Sequence, residues 1–206
     1  MRANGIQEKI LSRINASDGG AVFVASDFHD LGTNDAIRKS LSRLEKTGLI
    51  RRVLQGVYEY PEYSHFLQEF VATSPHRIAL ALARNNAWTI VQNGDIALNQ
   101  LGLSPQVPAE WTYASDGPSR RYILGKTTIH LKRTTGRDIA NMSYKFALIV
   151  QAIKAIGKHR LDNAKMHKLS SLMTDEEKSA ILNETKYITN WVYEVIKEIC
   201  NGRFVA

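Results

Sequence analysis

Between Thr33 and Pro61 the apolar period of the chain changes once, and the change falls on a glycine. Ile37, Leu41 and Leu44 recur at the helical spacing i, i+4, i+7. Beyond Gly48, apolar and polar residues alternate through "LIRRVL", a two-residue "QG" turn and "VYEY". A period of 3.6 buries one stripe of a helix, and a period of two buries one face of a strand. The stretch therefore predicts a helix running into a β-hairpin. Thr33 or Asn34 caps the helix, Gly48 stands where a C′ glycine belongs, Gly56 frees the turn, and Pro61 stops the second strand.

What precedes this stretch completes an architecture. Ile6, Ile10, Leu11 and Ile14 share one helical face, so residues 4 to 16 predict an amphipathic helix that "SDGG" ends. "AVFVAS" is a short apolar run of strand type. Ser26 is an N-cap candidate for a short second helix, "DFHDLG", which Gly32 closes. Helix, small strand, helix, helix, hairpin is the order of a winged helix-turn-helix. It is assigned to residues 1–61.

Residues 62–206 predict a second domain of mixed α/β character with C-terminal helices, so the fold class is α+β. Its start, "PEYSHFLQEFVATSP", reads as a short helix between Pro61 and Pro75. A helix over 76–86, a strand at "WTIV", a helix over 94–102, a strand at "AEWTYAS" and a hairpin "RRYILG"–"TTIHLKR" follow. Helices are predicted over 143–156 and 175–200, the latter opened by a Thr174 cap and first-turn acids.

The 206 residues suffice for one or two cores without disulfide or metal support, since a chain of this size buries roughly 70 % of its unfolded surface. Cys200 is the only cysteine, which excludes an intrachain disulfide and a cysteine-rich zinc site. With no signal-peptide core at the N-terminus and no apolar run long enough for a bilayer, a cytoplasmic protein without a membrane partner is expected. The net charge of +7 favours polyanions.

That charge is concentrated where the predicted architecture needs it for nucleic acid. With Ile37, Leu41 and Leu44 turned inward, Asp35, Lys39, Ser42, Arg43 and Lys46 point outward and Arg38 lies on the flank. In a helix-turn-helix this helix enters the major groove with its N-terminal residues at the base edges. Thr33, Asn34, Arg38 and Lys39 lie near that end. Arginine suits guanine bidentately and asparagine suits adenine. Lys46, Arg51, Arg52 and Gln55 are placed for phosphates, which set affinity and register. Ser42 and Arg43 complete the expected double-stranded DNA surface. A second tract, residues 120 to 137, carries Arg120, Arg121, Lys126, Lys132, Arg133 and Arg137 without an acid. It reads equally as a solvated hairpin face, a contact to flanking DNA, or a surface for an acidic or RNA-bound partner.

Catalytic signatures are missing. His29, His65, His76, His130, His159 and His167 are scattered without metal spacing. "NGDIALNQLG" is neither a P-loop nor a dinucleotide fingerprint, and no serine stands in a nucleophile elbow. Asp175, Glu176 and Glu177 fit an acidic helix start. Trp88 and Trp111 read as core residues of predicted strands. A non-enzyme without cofactor or metal is expected.

"DAIRKSLSRLEKTGLIRRVLQGVYEYP" resembles the AbiEi-type antitoxins of type IV toxin–antitoxin systems, in which a Leu-Arg-rich recognition helix runs into a wing of this form. The following "IALALARNNAWTIVQNGDIALNQLGL" is similar in layout to the family's next region. The resemblance is closest over residues 5 to 61 and fades beyond 160. It implies a repressor that binds inverted repeats in its own promoter. It also implies a nucleotidyltransferase-like toxin as partner, countered through the domain after the winged helix. Gly56 and Tyr58 match the family's wing glycine and tyrosine; no toxin-binding residue is carried over. The alternatives are a winged-helix regulator without a toxin, whose second domain dimerises or senses a ligand, and an enzyme with an accessory winged helix.

Overall fold

A computed structural model describes residues 3 to 202, so the first two and last four residues of the predicted domains lie outside the described part. The fold is α+β and forms two compact units, Met1–Trp88 and Thr89–Ala206.

In the first unit, helix α1 (Ala3–Asn15) is followed by strand β1 (Val22–Val24), a 3-10 segment (Ala25–Leu31), helix α2 (Asn34–Lys46) and the wing strands β2 (Arg51–Leu54) and β3 (Val57–Glu59). The strands form an antiparallel sheet in the order β1-β3-β2, the winged helix-turn-helix arrangement. Its core joins Ile6, Ile10 and Ile14 of α1 to Phe28, Ile37, Leu41, Leu44 and Ile50. Each such side chain contributes about 1.5–3 kcal/mol when fully removed from water. The expected second helix is a 3-10 segment, and Ser26 does not cap it: its hydroxyl is buried without a hydrogen-bond partner. The cap bond runs instead from the Val24 N–H to the Asp27 carboxylate at 2.9 Å.

The unit continues past the predicted boundary at residue 61. Strands β4 (Tyr63–Ser64) and β5 (Glu69–Phe70) form a small hairpin where a helix was expected. The helical spacing of Phe66, Leu67 and Phe70 faces no core, as all three are exposed. The rings of Tyr63 and Phe70 meet edge-on across the hairpin instead, at 5.3 Å. Helix α3 (Pro75–Asn86) then packs against β1. Ser74 caps it, and Pro75 occupies the first turn, where a missing N–H costs nothing. Arg84 clamps both carboxylate oxygens of Asp27 at 3.0 and 3.1 Å and the Val22 carbonyl at 3.0 Å. These contacts carry the first unit to Trp88.

The second unit is built on strands β6 (Ile90–Gln92), β7 (Trp111–Ser115), β8 (Arg120–Leu124) and β9 (Thr127–Arg133), in the order β6-β7-β9-β8. β8 and β9 form the expected hairpin, and β9 folds back parallel to β7. Trp88 precedes the sheet rather than lying in a strand, and both it and Trp111 are only partly buried. Helix α4 (Asp95–Gln100) follows β6, and the helical layer comprises α5 (Tyr144–Ile156), α6 (Asn163–Ser171), α7 (Asp175–Glu184) and α8 (Asn190–Asn201). α5 is buried along most of its length and packs with Val91 and Ala114 of the sheet and Val192, Ile196 and Ile199 of α8. The Thr174 capping box is present. The helix expected over 175–200 is interrupted after Glu184, where the Thr185 hydroxyl is buried against the Ile181 carbonyl at 2.6 Å. α6 was not expected.

Within this unit, Asp138 is a buried carboxylate with an internal partner. Lys154 Nζ donates to it at 2.7 Å, and the Thr135 hydroxyl does so at 3.2 Å. Burial opposes its charge, but the hydrogen bond and charge of Lys154, with bonds from Thr189 and Thr135, outweigh burial and hold its pKa below the ordinary aspartate value.

Candidate nucleic-acid interface

The Thr33 hydroxyl accepts the Ala36 N–H at 3.4 Å, so Thr33 is the N-cap of α2 and Asn34 its first residue. At the other end Gly48 takes φ +75°, and the Leu49 N–H reaches the Leu44 carbonyl at 3.1 Å, a Schellman closure. Both ends are thereby satisfied, and the outward face is free to carry charge.

Along that face Arg38, Lys39, Arg43 and Lys46 are exposed. Lys39 pairs with Asp35 one turn earlier at 2.8 Å. Arg38, Arg43 and Lys46 have no carboxylate partner among the described residues. Ser40 is turned inward, its hydroxyl on the Ala36 carbonyl at 2.8 Å, whereas Ser42 is half-buried at the flank.

The two wing arginines separate. Arg52 stands opposite Tyr58 in the β2–β3 register and Arg51 opposite Glu59, so they project from opposite faces of the wing. Arg52 binds Glu45 of α2 at 2.7 Å and lies over the Tyr58 ring at 5.5 Å. Arg51 donates to the buried Glu59 carboxylate and, at 3.4 Å, to the Val71 carbonyl. The expected phosphate role of Arg51 thus meets an internal one: its charge neutralises a carboxylate that the fold has taken out of water.

A cavity of about 420 Å³ lies between α2 and the wing. Arg38, Ser42, Arg52 and Gln55 all line it, with Gly56, Tyr58 and Asn85. Four of the residues singled out from sequence therefore meet in one cleft. Gly56 takes φ +75° in the turn and a Cβ there would meet open space, so glycine is needed for conformation and not for room. Asn85 was missed. It arrives from α3 through the Arg84 clamp, and no local pattern marks it. Tyr58, expected to pack under the wing, does so at 7 % exposure and also presents its hydroxyl to Arg52 at 3.5 Å.

The second basic tract does not form one surface. The β8–β9 register puts Arg121 opposite His130 and Arg120 opposite Leu131, so Arg121 and Lys132 share one face while Arg120 and Arg133 belong to the other. Lys126 sits in the turn beside Gly125. Arg121 is held by both oxygens of Glu110 at 2.9 and 3.1 Å. The His130 pKa is lowered by desolvation and then by the charges of Lys132 and Arg121, with Glu110 opposing them.

No helix among the described residues is long and apolar enough to cross a membrane. No curated protein and no solved structure is significantly similar to the chain. A family model described as "Family of unknown function (DUF6088)" matches residues 9–181, spanning the winged helix, the sheet and most of the helical layer, and the chain belongs to that family.

Proposed function

We propose that the first unit binds double-stranded DNA and that the protein is a sequence-specific repressor of its own operon. In this reading it is also the cytoplasmic antitoxin that counters a nucleotidyltransferase-like toxin. The observation that carries the DNA half is the unpaired cation row on α2. Arg38, Arg43 and Lys46 are exposed without carboxylate partners among the described residues, although the fold pairs Arg51, Arg52 and Lys39 internally. Cations kept off nearby acids remain available to release counterions from a duplex. Arg38 lies near the helix N-terminus, where base edges come within reach, and Arg52 and Gln55 border the same cleft. The antitoxin half is supported by the resemblance to AbiEi-type antitoxins around the recognition helix and wing.

One experiment separates the halves. The full chain and an Arg38→Ala/Arg43→Ala variant are titrated with the DNA upstream of the gene. Both are also co-expressed with a neighbouring nucleotidyltransferase-like gene. The proposal expects the variant to lose operator binding but still restore growth. Wild-type binding no tighter than to random DNA overturns the repressor reading. Failure of the wild type to restore growth overturns the antitoxin reading.

A further inference from the structure

The second unit carries a polar cleft of about 420 Å³ that DNA binding leaves unused. Lys132 and Arg133 at the end of β9, Thr112 of β7, Lys154 of α5 and the turn Asn93–Gly94–Asp95 border it. Lys132 has no carboxylate partner among the described residues, and the lowered His130 pKa registers its field beside that of Arg121, after desolvation. Lys154 spends one hydrogen bond on Asp138, and an ammonium has three to give. The Asn93 side-chain oxygen is taken by the Gly94 N–H at 2.6 Å and its backbone carbonyl by the Thr112 hydroxyl at 2.8 Å, while its side-chain NH2 donates to nothing among the described residues. Gly94 takes φ +61° with ψ −140°, a conformation open to glycine, and so leaves bare backbone at the cleft. Asp95 is exposed and forms no ion pair among the described residues.

Three cations and free amide donors ask for an anion, and a purely anionic ligand would meet Asp95 as a like charge. A phosphate ester bearing hydroxyls satisfies both, because a carboxylate accepts hydroxyl hydrogens while ammonium groups hold phosphate oxygens. The volume lies within the range of roughly 300–1,000 Å³ usual for small-molecule sites. We propose that this cleft binds a sugar-phosphate ligand, with the phosphate on Lys132 and Lys154 and the sugar hydroxyls on Asp95. Nucleotides and simple sugar phosphates share this chemistry. The site stands whether or not α2 binds DNA.

Calorimetric titration of the full chain with adenosine monophosphate, ribose 5-phosphate, adenosine and inorganic phosphate tests it. At least one of the two phosphorylated sugars binds, and adenosine and inorganic phosphate each bind at least about tenfold more weakly. Adenosine monophosphate binding better than ribose 5-phosphate identifies a nucleotide site, and equal binding a sugar-phosphate site. Lys132→Ala, the loss of an exposed and unpaired side chain, weakens the bound ligand about tenfold, a loss of about 1.4 kcal/mol. Asp95→Asn narrows the gap to inorganic phosphate, and Lys186→Ala, an exposed change elsewhere, alters nothing. The proposal is overturned if neither phosphorylated sugar binds. It is equally overturned if Lys132→Ala leaves binding intact while Arg38→Ala removes it, since the ligand then sits on the α2 face.

Discussion

Arg51 Nε and Nη2 both reach one oxygen of Glu59 across the wing, at 2.9 and 2.5 Å, and Glu59 is only 1 % exposed. One residue further on, Arg52 faces the other way and lies over Tyr58. Adjacent arginines on one strand therefore serve different ends. Removing Arg51 strands a buried carboxylate, an error that costs about 3–5 kcal/mol in a fully dry site. Arg51 is itself 43 % exposed, so water reaches the pair and the expected loss for Arg51→Ala is about 1–3 kcal/mol. Arg52→Ala breaks a more open pair and costs about 1 kcal/mol or less. Denaturant midpoints of the two variants check the order, and equal midpoints would refute it.

On DNA the order reverses. Arg43→Ala and Lys46→Ala should each flatten the log–log salt dependence of binding by about one unit, and Arg52→Ala by less, because Glu45 already holds that guanidinium. Arg51→Ala should leave that slope unchanged once folded protein is compared. Arg38→Ala should cost about 1–3 kcal/mol on the operator and less on random DNA. Titrations at several salt concentrations measure all of these. An operator-to-random ratio that survives Arg38→Ala removes that residue from base readout.

Gly48→Ala tests the closure of α2. The φ of +75° disfavours an L side chain, yet a Cβ would find nothing within 4 Å. The penalty is thus conformational, about 1–2 kcal/mol, with no steric addition. A thermal melt showing a larger loss would mean that the end of α2 carries contacts beyond its Schellman closure.

The Asp138–Lys154 pair should make the second unit acid-sensitive. The Asp138 pKa is lowered in the folded protein, so its contribution to stability is present in full above the ordinary aspartate range and is lost as pH falls through the folded value. Wild type should lose stability over that acidic window more steeply than Asp138→Asn, measured by chemical denaturation across pH. At neutral pH, Lys154→Met should be the more damaging change of the two, because it leaves the carboxylate buried and unpaired. Parallel pH profiles for wild type and Asp138→Asn would show that the pair does not titrate with folding.

Local pattern by itself determined the winged helix. The 3.6 period of Ile37, Leu41 and Leu44, the glycines at 48 and 56 and the alternation through the wing are rules of neighbouring residues, and the chain obeys them. The outward placement of Arg43 and Lys46 followed from the same period, and Arg38, expected on the flank, is exposed beside them. The β8–β9 hairpin and the Thr174 capping box were legible for the same reason.

Tertiary structure decided what depends on distant partners. Arg51 and Arg52 look alike in sequence; the buried acid opposite one and the ring opposite the other assign them. Phe66, Leu67 and Phe70 have helical spacing but no core to face, so the segment settled into a hairpin whose rings find each other. Arg84 reaches back to Asp27 and extends the first unit to Trp88, bringing Asn85 to the α2 cleft. Lys132 and Lys154 meet at one cleft only because a strand end and a helix pack together. Periodicity reports which face of an element is apolar; which element covers that face, and which charge it brings, is set by the packing of segments far apart in the chain.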